Sequence, residues 1–489
     1  MDIKKYLSKG IIAVLFLALI FSSFTITSND ITKGNVVEAS GEKSPKYVFY
    51  FVGDGLGASQ RQFAEIFLQE KTGDKSKKLL INSLPVAGIN TTYSSDSLIT
   101  DSAAAGTALA TGHKTNNKVI SQTPDGRDLK TLVEGAEEKG MATGIITSTR
   151  LTHATPATFA SHNESRYNAN EIAEEYLDSG VEFFAGGGYR HFVPEGWKWG
   201  KSKREDSRNL LEEFSQKGYK VFESDNKTED FRNYIPNKED KVIATFDYSH
   251  LPYEIDRVND NKTPSLAEIT QKGIDVLSKY KDGFFMMVEG GRIDHACHAN
   301  DPVGAIHDTL AFDNAVKKAY DFYKKHPKET LIVVVGDHET GGMGLGFGNG
   351  YFLDMKPLLN AKVSIADTVM GAYTNQFDND REKYLKYISE KLRLNDLTES
   401  EKSEIEKAMD IVDNKDEERA KVYGGYDPVG MATAHVVSER ANIQWTTYAH
   451  SGTQIPMSAV GVGAENFSGY KDNTEIAKTM ARLLSITLD

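Results

Sequence analysis

The sequence predicts an α/β protein in which strands and helices alternate along the chain. Apolar runs of strand length, such as 46–52, 283–288 and 330–335, are separated by stretches whose apolar residues have helical spacing. Strands that alternate with helices usually form a mainly parallel sheet covered by helices. Acidic and histidine side chains follow directly after several of these strands, which is where an α/β fold places functional groups.

The individual elements follow from the same patterns. In chain order, the predicted strands are 46–52, 88–93, 142–147, 181–185, 219–222, 242–246, 283–288, 330–335 and 457–462. The predicted helices are 103–109, 128–139, 170–177, 265–279, 303–324 and 473–484. Two stretches depart from this alternation. Residues 189–262 are interpreted as partly an insertion and partly sheet edge, and residues 343–439 as a second insertion with solvated, highly charged helices at its centre.

The composition excludes some classes of function. The chain of 489 residues has 70 acidic and 57 basic side chains, for a net charge of -13. This balance argues against a protein that binds nucleic acid through its overall charge. An anionic substrate would need local positive charge, and bound metal ions are the most plausible source.

The N-terminus has the pattern of a secretory signal peptide. Three lysines among the first nine residues precede an apolar run over 11–24, and Val37-Glu38-Ala39 offers a cleavage site. We therefore expect a signal peptide at 1–39, a mature chain without a membrane span, and a secreted, extracellular or cell-envelope location. An uncleaved N-terminal anchor is the alternative. The chain has one cysteine, Cys297, so no intramolecular disulfide can form.

Ser102 lies in the segment Thr100-Asp101-Ser102, which is followed by three alanines and a glycine. The predicted helix places Ser102 in its first turn, with Asp101 or Ser102 as the N-cap. Free backbone N–H groups and the positive end of the helix dipole favour an anion at this position. Taken alone, the segment is equally typical of an ordinary capped helix.

Residues that bind metals recur near four of the predicted strands. They are Asp54, then Glu289 with Asp294 and His298, then Asp337 with His338, and finally His450. Carboxylate and imidazole together are typical of zinc sites, whereas carboxylate with hydroxyl suits magnesium. Asp294 and His298 are four residues apart, so one helical turn would place them on the same side.

Six segments together carry a resemblance to a known family. They are VGDGLG at 52–57, TDSAAAGT at 100–107, THATP at 152–156, VEGGRIDH at 288–295, DHETGG at 337–342 and HSG at 450–452. In these segments and in their order, the sequence resembles the alkaline phosphatases. The resemblance implies a three-layer α/β/α sandwich with a large, mostly parallel sheet, here a catalytic domain at 40–489 with insertions at 189–262 and 343–439. It also implies a homodimer.

The resemblance also assigns roles to single residues. It implies a first zinc ion at Asp294, His298 and His450, a second zinc ion at Asp54, Asp337 and His338 with Ser102 as exchangeable ligand, and a magnesium ion at Asp54, Thr155 and Glu289. Arg166 corresponds to the arginine that grips the phosphate. His153 and His295 are expected beside the metal ligands, where they would tune the rate.

The function implied by the resemblance is hydrolysis of phosphate monoesters at alkaline pH through a phosphoserine on Ser102. A phosphodiesterase with the same metal ligands is the main alternative, and a phosphomutase is another. A sulfatase would need a Cys or Ser in a C/S-x-P-x-R context, and no such stretch occurs. A secreted protein that only binds phosphate or metal is a rival from another class, but it has no need of a nucleophile at a helix terminus.

Overall fold

The protein is described from a computed structural model, which covers residues 44–197, 200–223 and 227–488. The predicted signal peptide at 1–39 lies outside the described residues. None of the described helices is both long and apolar enough to cross a membrane.

The strands form one large central sheet and two short ladders. They are β1 Tyr47–Gly53, β2 Val86–Asn90, β3 Ala142–Arg150, β4 Phe183–Gly187, β5 Tyr219–Glu223, β6 Lys241–Thr245, β7 Phe284–Glu289, β8 Thr330–Gly336, β9 Glu339–Thr340, β10 Gly344–Leu345, β11 Ile443–Gln444, β12 His450–Ser451, β13 Ile455–Gly461 and β14 Gly469–Lys471. The central sheet has the order β14-β2-β13-β8-β1-β7-β3-β4-β6-β5. Only β13 runs antiparallel to its neighbours in this sheet, so the predicted α/β class with a mostly parallel sheet is confirmed.

Helices cover both faces of this sheet. They are α1 Ala58–Thr72, α2 Ser102–Thr111, α3 Leu132–Glu138, α4 Ala154–Ala160, α5 Ala169–Glu175, α6 Leu210–Gln216, α7 Thr228–Asn233, α8 Glu254–Asp260, α9 Leu266–Leu277, α10 Arg292–His298, α11 Pro302–Tyr323, α12 Lys356–Leu359, α13 Ala372–Asn375, α14 Arg381–Leu392, α15 Glu399–Asp413, α16 Glu417–Ala420, α17 Pro428–Arg440 and α18 Asn473–Leu484. Phe49 and Phe51 of β1 pack into one apolar cluster, whereas Val48, Tyr50 and Val52 pack into another. Because successive side chains of a strand point to opposite faces, the sheet is covered on both sides.

Strand order explains where the functional groups meet. β1 pairs in parallel with β7 on one side and with β8 on the other. The carboxyl ends of these three strands therefore lie side by side. β13 runs the other way, so the segment that leads into it also reaches this edge, where His450 pairs with Thr340 across β12 and β9.

The two stretches that departed from the alternation contain regular structure. Within 189–262, β5 and β6 form the outermost strands of the central sheet. Within 343–439, α14 and α15 bury one face, and Tyr384, Ile388 and Met409 belong to the same apolar cluster as Phe49. The division of the mature chain into a catalytic domain with two insertions stays a prediction.

Candidate active site

Ser102 is the first residue of α2, and Asp101 is the N-cap. Asp101 Oδ1 accepts a hydrogen bond from the backbone N–H of Ala104 at 3.0 Å, which satisfies one of the free donors of the first turn. The Ser102 side chain is buried, and its Oγ lies 3.2 Å from Nε2 of His338. A hydroxyl at the positive end of a helix is suited to attack or to hold an anionic group.

The first proposed zinc ligands converge in the structure. Nε2 of His298 lies 3.1 Å from Nε2 of His450 and 3.3 Å from Oδ1 of Asp294, and the His450 to Asp294 distance is 3.5 Å. A tetrahedral zinc ion with bonds of about 2.0–2.2 Å separates its ligands by roughly 3.3–3.6 Å. The three separations, 3.1–3.5 Å, are close to this spacing, so the three donors can share one zinc ion. His338 also comes close to this group, since its ring stacks on His450 with centroids 3.5 Å apart.

The second proposed set converges around His338. Its Nε2 lies 3.1 Å from Oδ2 of Asp337 and 3.4 Å from Oδ1 of Asp54. Ser102 Oγ is the fourth donor of the group, at the 3.2 Å given above. All four side chains are buried, so the carboxylates are shielded from water.

A third group of donors lies on the other side of Asp54. Thr155 Oγ1 is 3.5 Å from Oδ2 of Asp54, and Glu289 ends the neighbouring strand β7. The structure adds His153 here, because its Nδ1 lies 4.0 Å from Oδ2 of Asp54 and 3.9 Å from Oε1 of Glu289. Asp54, His153 and Glu289 can thus share one cation.

Unpartnered buried atoms indicate that these sites are built for cations. Oδ1 of Asp54, Oδ2 of Asp337, Oε1 of Glu289 and Nδ1 of His153 are buried and make no hydrogen bond to the described residues. Burial, and after it the charge of Asp337, raises the pKa of Asp54 well above its usual range. Burial likewise raises the pKa of Glu289 to about 7. Cations at these positions would give the unpartnered atoms ligand bonds and would stabilise the ionised carboxylates. The donor sets therefore fit the metals that the sequence suggests.

The histidine rings are held in the orientation that a metal ligand needs. Nδ1 of His298 is 2.6 Å from the carbonyl oxygen of Tyr448, and Nδ1 of His450 is 2.8 Å from that of Thr100. A carbonyl oxygen only accepts, so each Nδ1 carries the proton and each Nε2 presents a lone pair. Nδ1 of His338 lies 3.2 Å from Thr340 Oγ1, and because this hydroxyl donates its own proton to Asp294, it accepts from His338 Nδ1.

Thr340 links the two proposed zinc sites. Its hydroxyl donates to Oδ1 of Asp294 at 2.5 Å and accepts from Nδ1 of His338. The backbone at position 55 passes close to this hydroxyl and needs glycine there. Gly55 has φ of +72°, and an added Cβ would lie 2.9 Å from Thr340 Oγ1. Burial raises the pKa of Asp294, but its interactions with the neighbouring imidazoles of His298 and His450 outweigh burial, so the pKa is lowered.

Arg166 faces the same site. Its Nη1 donates to Oδ2 of Asp101 at 3.0 Å, and its Nη2 lies 3.4 Å from Nε2 of His153. The side chain is 15% exposed, so a ligand in the site can reach it. Burial opposes the arginine's charge, but the charge of Asp101 outweighs it, and the pKa of Arg166 is raised.

His295 lies next to His153 rather than among the donors of the proposed zinc sites. The two rings are 5.2 Å apart, and Nδ1 of His295 accepts from Nη1 of Arg292 at 3.1 Å. Arg292 stacks on Tyr253 at 3.7 Å and pairs with Asp367. Burial and the charge of Arg292 lower the pKa of His295 to about 3, so this ring stays neutral.

The sequence did not reveal several residues that support the site. Thr147 and Thr149 donate to Oε2 of Glu289, and the ring of His250 packs 4.4 Å from that of His295. The only signal for the two threonines was that Thr147 ends the predicted strand 142–147 and Thr149 follows two residues later. His250 carried no signal, because it reaches the site from a loop about a hundred residues away.

A nucleophile at a helix terminus, set among donors for several cations, is what a hydrolase for phosphoryl transfer requires. The family model described as alkaline phosphatase matches residues 45–486, and the chain belongs to the alkaline phosphatase family. Members of this family depend on metals. The chain is a phosphoric monoester hydrolase with alkaline phosphatase activity.

Relatives and solved structures agree with this membership. The chain is 35% identical to alkaline phosphatase 3 of Bacillus subtilis, over 95% of this chain and 96% of that protein. It is 30% identical to the repressible alkaline phosphatase of Saccharomyces cerevisiae, over 98% of this chain and 86% of that protein. The crystal structure of the Thermus thermophilus alkaline phosphatase superposes with a TM-score of 0.78 at 29% identity, covering 91% of this chain and 92% of that chain.

Proposed function

We propose that the enzyme hydrolyses phosphate monoesters at alkaline pH through a phosphoserine on Ser102, with two zinc ions and one magnesium ion bound. The observation that supports this most directly is the convergence of Ser102, Asp54 and Asp337 on Nε2 of His338, at 3.1–3.4 Å. A nucleophile and carboxylates gathered on one imidazole are well placed to share a single zinc ion.

The metals are proposed to divide the donors as follows. The first zinc ion would be held by Asp294, His298 and His450, the second by Asp54, Asp337, His338 and Ser102, and magnesium by Asp54, Thr155 and Glu289. When bound, these ions would lower the pKa of the serine hydroxyl and of water, and would neutralise charge on the phosphate. His153 would add an imidazole nitrogen beside the magnesium ligands.

The protein's own groups then account for the order in which bonds form and break. Ser102 Oγ forms a bond to phosphorus as the bond from phosphorus to the alcohol oxygen breaks, and the alcohol leaves with a proton. Water next attacks the phosphoserine, which restores the Ser102 hydroxyl and releases inorganic phosphate. Arg166, with one nitrogen fixed by Asp101, presents its other N–H groups to phosphate oxygens.

The proposal extends to assembly and location. Ile89 of β2 and Tyr470 of the edge strand β14 are paired in register, and they are 44% and 64% exposed. Leu98, 82% exposed, lies shortly before the Ser102 helix. We propose that these apolar side chains are covered by a second copy in a homodimer, and that the chain is secreted.

The test is release of p-nitrophenol from p-nitrophenyl phosphate by the purified enzyme at alkaline pH. It includes a chelator, zinc and magnesium added back, bis-p-nitrophenyl phosphate as the diester, and the Ser102→Ala variant. Metal-dependent monoester turnover that collapses in Ser102→Ala supports the proposal. Preference for the diester would replace it with a phosphodiesterase, and absence of turnover with full metal content would refute it.

A further inference from the structure

Arg150 ends β3, beside the proposed site. β3 neighbours β7, which carries Glu289, and Arg150 is in register with Gly187 at the end of β4. Its Nε is buried and has no hydrogen-bond partner. Within the described ranges, no carboxylate lies at ion-pair distance from this guanidinium group.

Arg190 lies on the turn that follows β4, so it reaches the same edge of the sheet. Its Nε donates to Nε2 of His191 at 3.0 Å, and its guanidinium group lies 5.2 Å from the ring centroid of Tyr248. No carboxylate of the residues that the structure describes forms an ion pair with it either. The two arginines approach each other at this edge, since a Cβ added to Gly188, two residues before Arg190, would lie 2.6 Å from Cβ of Arg150. Burial, and after it the charges of Arg190 and Arg166, lower the pKa of Arg150 to about 10.

Other arginines of the same part of the chain are paired. Arg204 binds Glu174 and Asp206, and Arg208 binds Glu213 at 2.7 Å. The protein has a large excess of acidic residues, yet no carboxylate among the described residues pairs with Arg150 or Arg190. A cation that is partly buried without a counterion is costly unless a ligand supplies the opposite charge.

The chemistry of such a ligand follows from the guanidinium group. Its planar fork binds two oxygens of a phosphate at once. Contacts connect the pair to the proposed catalytic position. The backbone N–H of Arg150 donates to Nδ1 of His250 at 3.2 Å, and the ring of His250 lies 5.7 Å from that of His153. Nε2 of His153 is in turn 3.4 Å from Nη2 of Arg166. Arg150 therefore lies near the arginine that is proposed to grip the phosphate under attack.

We propose that Arg150 and Arg190 form a second phosphate subsite beside the catalytic one, and that the enzyme prefers phosphate monoesters carrying a second phosphate group. This inference rests on the proposed function. Each arginine acts on specificity, and neither is a catalytic residue in the proposed reaction.

The test compares propane-1,3-diol bisphosphate with propyl phosphate by phosphate release. The wild-type enzyme should show a higher kcat/KM for the bisphosphate. Arg150→Gln should lower the ratio of the two kcat/KM values roughly five- to tenfold, and Arg190→Gln by roughly threefold. Arg150→Lys should retain part of the preference, because it keeps the charge without the fork. Arg208→Gln, which changes a paired arginine, is the matched control and should leave the ratio unchanged.

The ratio is measured on one preparation, so it does not depend on the fraction of enzyme that is folded. A second arm measures inhibition of p-nitrophenyl phosphate hydrolysis by pyrophosphate relative to inorganic phosphate, and this preference should fall in the same two variants. Equal losses for both substrates, or an unchanged ratio, would overturn the inference. A wild-type enzyme with equal kcat/KM for the two substrates, in which Arg150→Gln changes only the inhibition by free phosphate, would also overturn it. If p-nitrophenyl phosphate itself is not hydrolysed, the proposed function has failed instead.

Discussion

Replacing Thr340 tests whether the two proposed zinc sites are joined through one hydroxyl. Thr340→Val has nearly the same shape, but it removes the donor to Asp294 and the acceptor for His338. The threonine is fully buried, so water cannot replace either bond. We expect the metal-free protein to lose about 1–3 kcal/mol of unfolding free energy, which is the usual cost of unpaired buried groups.

The larger effect should be on zinc. Groups that orient metal ligands typically contribute roughly 10- to 100-fold to affinity, equivalent to about 1.4–2.8 kcal/mol. Zinc is titrated into the metal-free enzyme against a competing chelator, and the weaker of the two sites is followed. Thr340→Ser keeps the hydroxyl and serves as the control. Equal zinc affinity in the Val and Ser variants would refute the idea that the hydroxyl orients the ligands.

The other predictions concern charge. Asp101→Asn keeps the helix cap but weakens the bond to Arg166, so the inhibition constant of inorganic phosphate should rise severalfold. Asp101→Ala also removes the cap, so it should in addition lower the unfolding free energy by about 1 kcal/mol. Burial opposes protonation of His162, but its bond to Glu134 raises its pKa to about 9. A raised pKa stabilises the folded state below pH 6.5, and this contribution is lost as pH rises through about 9; it should be on the order of 1 kcal/mol after solvent screening. The stability difference between wild type and His162→Gln, followed by thermal unfolding, should therefore vanish at high pH. Removal of metals should lower the unfolding temperature because Asp54 and its neighbouring carboxylates repel, and zinc should restore it; an unchanged temperature would contradict this.

Local patterns were enough to predict the strands that carry the site. Asp54, Glu289 and Asp337 each follow an apolar run that is buried on both faces, and such runs are visible without knowledge of their neighbours. The outer strands were harder to assign. β5 has exposed and buried positions mixed along its length, because an edge strand has one neighbour only.

Contacts between distant segments could not be predicted from the sequence. Asp101 was recognised as a candidate cap, but its second carboxylate oxygen binds Arg166, 65 residues away. The helices of 343–439 were predicted to be solvated, and that holds for one face only. Tyr384 and Ile388 are four residues apart and both buried, so the charged composition concealed an apolar stripe.

The charge of the site explains how an acidic protein can take an anionic substrate. Asp54, Glu289, Asp294 and Asp337 are buried at one edge of the sheet, and Arg166 is already paired with Asp101. Two zinc ions and one magnesium ion, as proposed, would exceed the charge of these carboxylates by about two, which matches a phosphate monoester dianion. A single phosphate dianion would then neutralise the net positive charge at the catalytic position. The charges of Arg150 and Arg190, which no carboxylate in the described part of the chain neutralises, lie outside that balance. A second phosphate on the same substrate is what would neutralise them.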